Sequence, residues 1–289
     1  MTQYFGNYGN SYSSSSSGIH LRTIIGVCIM LFGIISYYTH ESVNPVTGER
    51  QHVSMSADQE IALGLQSAPQ MAAQMGGEAS SDDPRAQEVE RIGTYLVQKN
   101  GLDTKTHYQY VYHLLNDLQT VNAFALPGGQ IFITRGLYDK LADEAELAGV
   151  LGHETGHVVE RHVAQQMETS RLGQSLVLGS GIAASDRQNG YATWALAGLA
   201  NQMAQLKFSR EDESQADERG LEYMTTAGFD PRAMIDVMQI LKQLDAGGST
   251  PEFLQTHPDP GNRIEAIQSW LADHPFIASQ LTRGNPLPK

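Results

Sequence analysis

The 289-residue chain contains one cysteine, Cys28, so it can neither close a disulfide within itself nor build a thiolate metal site. Any metal would fall to histidines and carboxylates. Basic residues are the scarce charge: 19 Lys and Arg stand against 32 Asp and Glu, a formal net charge of -13, and the basic residues form no cluster. A nucleic-acid surface needs clustered cations to neutralise phosphates, and adsorption to anionic lipid needs a basic patch. Both modes of binding are excluded. No internal repeat is present, and hydrophobic residues make up 40% of the chain, enough for a sizeable core.

Long apolar runs are few as well. The clearest, Thr23–Tyr38, carries no charge and would span about 24 Å as a helix, against a bilayer core of about 30 Å. Leu21 and a snorkelling Arg22 lengthen it at one end, and Tyr37 and Tyr38 suit the far interface. We read residues 19–38 as an uncleaved transmembrane anchor rather than a signal peptide or buried helix. No A-x-A site follows it, and the leader 1–18, rich in Ser, Gly, Asn and Tyr and read as disordered, is long. A lipoprotein at Cys28 fits less well, because Val27 stands where a small residue is expected. Arg22 on the N-terminal side places the body outside the cytoplasm by the positive-inside rule, which in a bacterium means an inner-membrane anchor and a periplasmic domain.

Residues 39–55, with Asn44-Pro45 and Thr47-Gly48 as turn signals, read as a linker, and residues 56–289 as one domain. Ser56 caps a helix running to about Gln74, with Gln59 at its third position. A second helix over Pro84–Gln98 ends at Asn100-Gly101. Then the period changes. Tyr108–Leu115 reads as a strand, and Ala123–Leu126 and Gln130–Thr134 flank the turn Pro127-Gly128-Gly129. The remainder is helical, giving an α+β class with a small sheet beside a mostly helical body. Gln130–Thr134 could lend free backbone groups to an extended peptide; the alternative is an interior strand paired on both sides.

His153-Glu154-Thr155-Gly156-His157 is an H-E-x-x-H motif in a predicted helix, capped by Asp143 with Glu146 placed to return the bond. Leu147, Val150, Leu151 and Val158 give that helix an apolar face. Residues four apart share a helix face, so two imidazoles can converge on one ion. Glu154, one residue on, is placed to take a proton from the attacking water rather than bind the metal. Gly149, Gly152 and Gly156 each cost about 1 kcal/mol of helix stability, which suggests a second helix packed close by.

A catalytic zinc needs a third protein ligand and an open position. Ser209 caps a helix in which Glu213 and Asp217 are four apart on the side that also carries Ala216, Gly220 and Leu221. Glu213 fits as the third ligand and Asp217 as the group that orients a ligand histidine. Glu211 and Asp212 fit a solvated acidic run.

Several blocks together resemble the family of the bacterial heat-shock protease HtpX and the eukaryotic CAAX prenyl protease, a gluzincin-type group, and within it the periplasmic BepA- and LoiP-like branch. They are Asn122–Gly129, Thr134–Leu137, Glu146–His157, Ser209–Asp217 and His257–Ile264. The resemblance covers about Ser56–Leu271. It implies zinc held by His153, His157 and Glu213, catalysis by Glu154, an orienting role for Asp217, protein substrates and envelope quality control. The chain reaches only Lys289, too early for the C-terminal helical repeats of that branch.

His257 could stabilise the oxyanion of hydrolysis or fill the open zinc position in a resting form. Arg263 is a second polar candidate, or else simply binds a carboxylate. His113 and His162 read as ordinary histidines. Leu172–Ala184 and Tyr191–Phe208 form two apolar stretches that could be a core hairpin, a lid or a membrane-facing patch, core or lid being preferred. The rival to an enzyme is a chaperone or scaffold with a structural zinc closed by a fourth ligand.

Overall fold

In the computed structural model the chain is described over residues 21–184, 206–248, 250–276 and 278–289. The leader 1–18 lies outside the described residues, as does the second apolar stretch up to Gln205. Helix α1 (Leu21–Thr39) is, among the described residues, the one helix long and apolar enough to cross a membrane. Residues 39–55 join α1 to the body. They form a strap in which β1 (Glu41–Val43) pairs antiparallel with β2 (Arg50–His52). From it Asn44 and Gln51 donate to the carbonyls of Val159 and Glu160, at 2.7 and 2.8 Å.

Ser56 caps α2 (Ala57–Gln74), and the Gln59 side chain closes the capping box. Asp83 caps α3 (Pro84–Asn100), with Pro84 at the position where a missing N–H costs nothing, and Gly101 ends it. A short turn, α4 (Leu102–Lys105), leads to the sheet: β3 (Val111–Leu115), β4 (Ala123–Leu126) and β5 (Gln130–Thr134). Pro127 and Gly128, with φ of +78° at the glycine, form the type II turn that joins β4 to β5.

The strand order is β3-β5-β4, with β3 parallel and β4 antiparallel to β5. This corrects the reading of Gln130–Thr134 as a free edge. β5 is the interior strand, all five of its residues are buried, and neither of its sides is open to a peptide. The edge is β4. The Thr134 N–H donates to the Asn122 carbonyl at 3.0 Å. Pairing alternates from there, so the backbone groups of Ala123 and Ala125 point away from β5.

The chain then runs through α5 (Arg135–Tyr138), α6 (Glu144–Val159), α7 (His162–Ala184), α8 (Arg210–Ala227), α9 (Ala233–Ala246), α10 (Glu252–Thr256) and α11 (Pro260–Asp273). All 16 residues of α6 are buried, so it is the axis of the body rather than an amphipathic surface helix. It packs against α3, α8 and α9 and against β4. Asp143 caps α6 through the Glu146 N–H at 3.0 Å, while the Glu146 carboxylate accepts from the N–H of Ala142, not of Asp143. Leu172–Ser180 is neither core nor lid: this part of α7 runs along α1, with Leu176, Val177 and Leu178 exposed.

The glycines of α6 let α8 approach. A Cβ on Gly156 would fall 2.9 Å from the Ala216 carbonyl oxygen and 3.1 Å from its Cα. Overpacking of this kind costs about 1–3 kcal/mol, more than the roughly 1 kcal/mol of helix propensity that alanine regains. Gly156→Ala is therefore expected to lower the Tm of the detergent-solubilised protein. An unchanged Tm would mean that α6 and α8 part without cost.

Candidate metal centre

Helix α6 projects His153 and His157 from one face, and α8 projects Glu213 towards them. His257, the residue that ends α10, joins from a third side. The four residues are buried, and their ligand-type atoms lie within 4.8 Å of one another. Among the described residues no other group of His, Cys, Asp and Glu gathers in this way.

The hydrogen bonds around the two imidazoles fix which nitrogen faces inward. Gln215 donates its amide to the Glu49 carboxylate of the strap at 2.9 Å. Its oxygen, 2.9 Å from His162 Nε2, must then accept, which leaves His162 Nδ1 bare. That atom, 2.8 Å away, accepts from His157 Nδ1–H, so His157 Nε2 carries a free lone pair. His153 Nδ1 is 2.9 Å from Asp217 Oδ1, and a proton there leaves His153 Nε2 bare too. The two inward Nε2 atoms are 3.0 Å apart. Two lone pairs facing each other at that distance repel unless they share a cation. Glu213 oxygens lie 3.7 and 3.5 Å from His153 Nε2 and His157 Nε2. Tetrahedral ligands at about 2.0–2.1 Å from zinc would be about 3.3 Å apart, so the donor set fits such an ion.

Arg263 is buried and ties the carboxylates together. Its Nε and Nη2 donate to Asp217 at 2.8 and 2.5 Å. Its Nη1 lies 2.6 Å from Glu213 Oε2, a close ion contact out of line for a hydrogen bond. Burial alone would raise the Glu213 carboxyl, but Arg263 and His257 outweigh it and hold it well below the ordinary carboxylate range. Asp217 is likewise lowered, with Arg263 and His153 overcoming burial. Burial holds the His157 ring well below the usual imidazole value, in the neutral form a ligand requires.

Glu154 differs from its neighbours. It is fully buried, and neither carboxylate oxygen has a hydrogen-bond partner. Burial pushes its carboxyl up, against the pull of His257 and His153. His257 Nδ1 is 2.9 Å from Glu213 Oε1 and 3.3 Å from His153 Nε2. Its Nε2 is 3.7 Å from Glu154 Oε1. Burial would lower His257, yet the carboxylates of Glu213 and Glu154 outweigh that and raise it. Beside the cluster, Phe124 and Ala125 of β4, with Asn122 just before it, line a small cavity with Val163, Leu206 and Phe208.

Residues 83–271, more than half of the chain, match the profile of Peptidase family M48. The chain belongs to peptidase family M48. It is 33% identical over 248 residues to the beta-barrel assembly-enhancing protease of Yersinia pestis, covering 82% of this chain and 49% of that protein. It is 30% identical over 246 residues to mitochondrial metalloendopeptidase OMA1 of Schizosaccharomyces pombe, covering 83% of this chain and 69% of that one. Human metalloendopeptidase OMA1 is 28% identical, with 82% of this chain and 47% of that protein aligned. The chain thus spans about half the length of two of these relatives. As an M48 peptidase it acts on protein, and its family is metal-dependent.

The structure brings together every site residue singled out from the sequence: His153, Glu154, His157, Glu213, Asp217, His257 and Arg263. His162, read from the sequence as ordinary, instead lies between His157 and Gln215 and sets the His157 tautomer. Its sequence signal is faint. It follows His157 by five positions, just after Arg161, whose φ of +59° turns the chain back towards the site.

Removing an outer hydrogen bond to a ligand histidine typically weakens metal binding about 10–100-fold. Asp217→Asn and His162→Phe should each do so without unfolding, measured by competition with a chromogenic chelator. Unchanged affinity in both would remove them from the site's support.

Proposed function

We propose that this M48 peptidase is a zinc-dependent metalloendopeptidase, anchored by α1, whose domain works in the periplasm on misfolded or envelope proteins. Its metal would be held by His153, His157 and Glu213. The observation that carries the reading is Glu154, a buried carboxylate with two unpartnered oxygens beside a metal-shaped donor set. An unpaired buried carboxylate is costly, and general-base chemistry gives it a purpose. A bound zinc supplies Lewis acidity that polarises a carbonyl and acidifies water. Glu154 takes the proton of the attacking water and hands it to the leaving amine. Asp217 and His162 hold the two imidazoles in the tautomer that presents Nε2. Arg263 keeps Glu213 and Asp217 ionised and in register.

The backbone of Ala125 on the β4 edge, which lines the cavity beside the cluster, offers pairing to an extended peptide, which suits sequence-tolerant cleavage. The name of the Yersinia pestis relative, an assembly-enhancing protease, and the placement of Arg22 favour the envelope. The rival, a scaffold with a structural zinc, draws on His257, which stands among the ligand atoms where a fourth ligand would be. We read His257 as filling the open position in a resting form, because a permanently closed site has no use for Glu154.

Casein digestion and zinc content measured on the same samples test these roles. Glu154→Gln should keep zinc and lose turnover by at least about 10²-fold, the scale of general-base catalysis. Glu213→Ala should lose both. Normal turnover in Glu154→Gln would sink the mechanism. His257→Ala should raise basal turnover; a fall would assign His257 to the oxyanion, and no turnover from any variant or wild type would favour the scaffold.

Proline at position 125 removes an outward N–H without touching the β4–β5 ladder. Ala125→Pro should raise KM for peptides with zinc retained. An unchanged KM would place substrate binding off this edge.

A further inference from the structure

Helix α7 changes character at Arg171. Its first half carries His162, Glu168 and Arg171 and buries Val163 and Ala164 in the body. From Leu172 to Ala184 no residue is charged. This second half leaves the body and lies antiparallel to α1: His40 Nδ1 meets Glu168 Oε1 at 3.4 Å, Gly33 faces Ser175, and Gly26 and Met30 face Gly179.

The two helices are very close. A Cβ built on Gly33 would fall 2.6 Å from that of Ser175, and one on Gly179 would fall 2.5 Å from the Gly26 carbonyl oxygen. Small residues that let backbones approach are how helices associate in lipid, where apolar side chains gain nothing by leaving their solvent. Hydroxyls there must be satisfied locally. Ser175 and Ser180 donate to the Arg171 and Val177 carbonyls of their own helix, both at 3.0 Å.

What α7 does not give to α1 it leaves uncovered. Leu176, Val177 and Leu178 are 37%, 73% and 39% exposed, and on α1 Leu31, Phe32 and Ile35, away from the glycine face that meets α7, are 51%, 74% and 60% exposed. Two adjacent helices with bare apolar sides make a patch that water does not tolerate well. The patch ends at a polar band. Tyr37 stacks on His52 with ring centroids 4.2 Å apart, Tyr38 lies alongside, and His40, Glu168 and Arg171 sit at the same level. Aromatic and charged side chains in such a ring are what a bilayer interface selects.

We propose that Leu172–Ala184 is immersed in the hydrocarbon of the bilayer that α1 crosses, so that two helices, not one, hold the catalytic body to the membrane. The depth follows from α1. Met30, opposite Gly179, lies about 14 Å along the helix from Thr39 at 1.5 Å per residue, near the middle of a core about 30 Å thick. A helix half in antiparallel contact over that length shares that depth. At the other end of α7, His162 touches His157. Leu172 is about 15 Å further along, so the candidate metal centre stands about 15 Å off the hydrocarbon, a span that about five extended residues cover.

The test reads location and is independent of catalysis. In the full-length chain with Cys28→Ser, single cysteines at Val177, Leu31 and Leu118 carry a bimane label, and the protein is reconstituted in vesicles with or without brominated acyl chains. Leu118, 53% exposed on the body, is the aqueous control. We expect bromine to quench Val177 and Leu31 at least about twofold and to leave Leu118 unchanged. Quenching at Leu31 with none at Val177 would put α7 in water and overturn the proposal. Absence of quenching at Leu31 would overturn it too, since α7 takes its depth from α1. Leu176→Cys, labelled in the same way, replaces Val177→Cys if the latter does not fold.

Discussion

A carboxylate taken out of water must be matched by charge or hydrogen bonds, and the body of this peptidase is organised around that requirement at Glu213. One guanidinium, Arg263, answers it for both Glu213 and Asp217. Those acids are one helical turn apart on α8, so α11 must dock where a single arginine can reach both. Asp217 in turn fixes His153, which sets where α6 lies against α8. Such a buried ionic group adds little net stability, because desolvation consumes most of its Coulomb energy. What it provides is geometry: each charge is in place only if three helices are in register.

The rest of the fold serves that register. Glycines on α6 bring α8 within backbone contact, and every side of α6 is covered. A helix buried all round has no room to tilt. Two neighbouring imidazoles on it therefore keep their spacing, and Glu154, whose carboxylate takes no hydrogen bond, keeps its aim.

The parts of this arrangement that could be read in the sequence are the local ones. Ser56 and Ser209 announce helices because a cap and its partner lie three residues apart. His153 and His157, and Glu213 and Asp217, fall on one helix face through the same short period. The three strands were legible as segments, but their order was not. Placing β5 between β3 and β4 depends on pairing a strand with one some twenty positions earlier, and alternation within a strand does not encode its neighbours. The strap is not legible in the sequence, because its hydrogen bonds run from Asn44 and Gln51 to carbonyls more than a hundred positions away. The role of His162 is hidden for a related reason: its partner Gln215 sits on a different helix. The preference for core or lid at Leu172–Ala184 fails because thirteen uncharged residues suit a core helix and an exposed apolar one alike until the neighbouring helix is known.

A domain hung from a single helix by a flexible leash can swivel, and its active cleft samples a wide cone of directions. The strap removes that freedom here. Because Asn44 and Gln51 are bonded to the last turn of α6 and to the residue that ends it, the chain leaves the anchor already clamped to the element that carries the histidines. The cleft then faces one direction relative to the anchor. With α1 in a bilayer, as proposed, encounter with a protein fixed in the same plane would be a matter of lateral diffusion and azimuth rather than of tumbling in three dimensions.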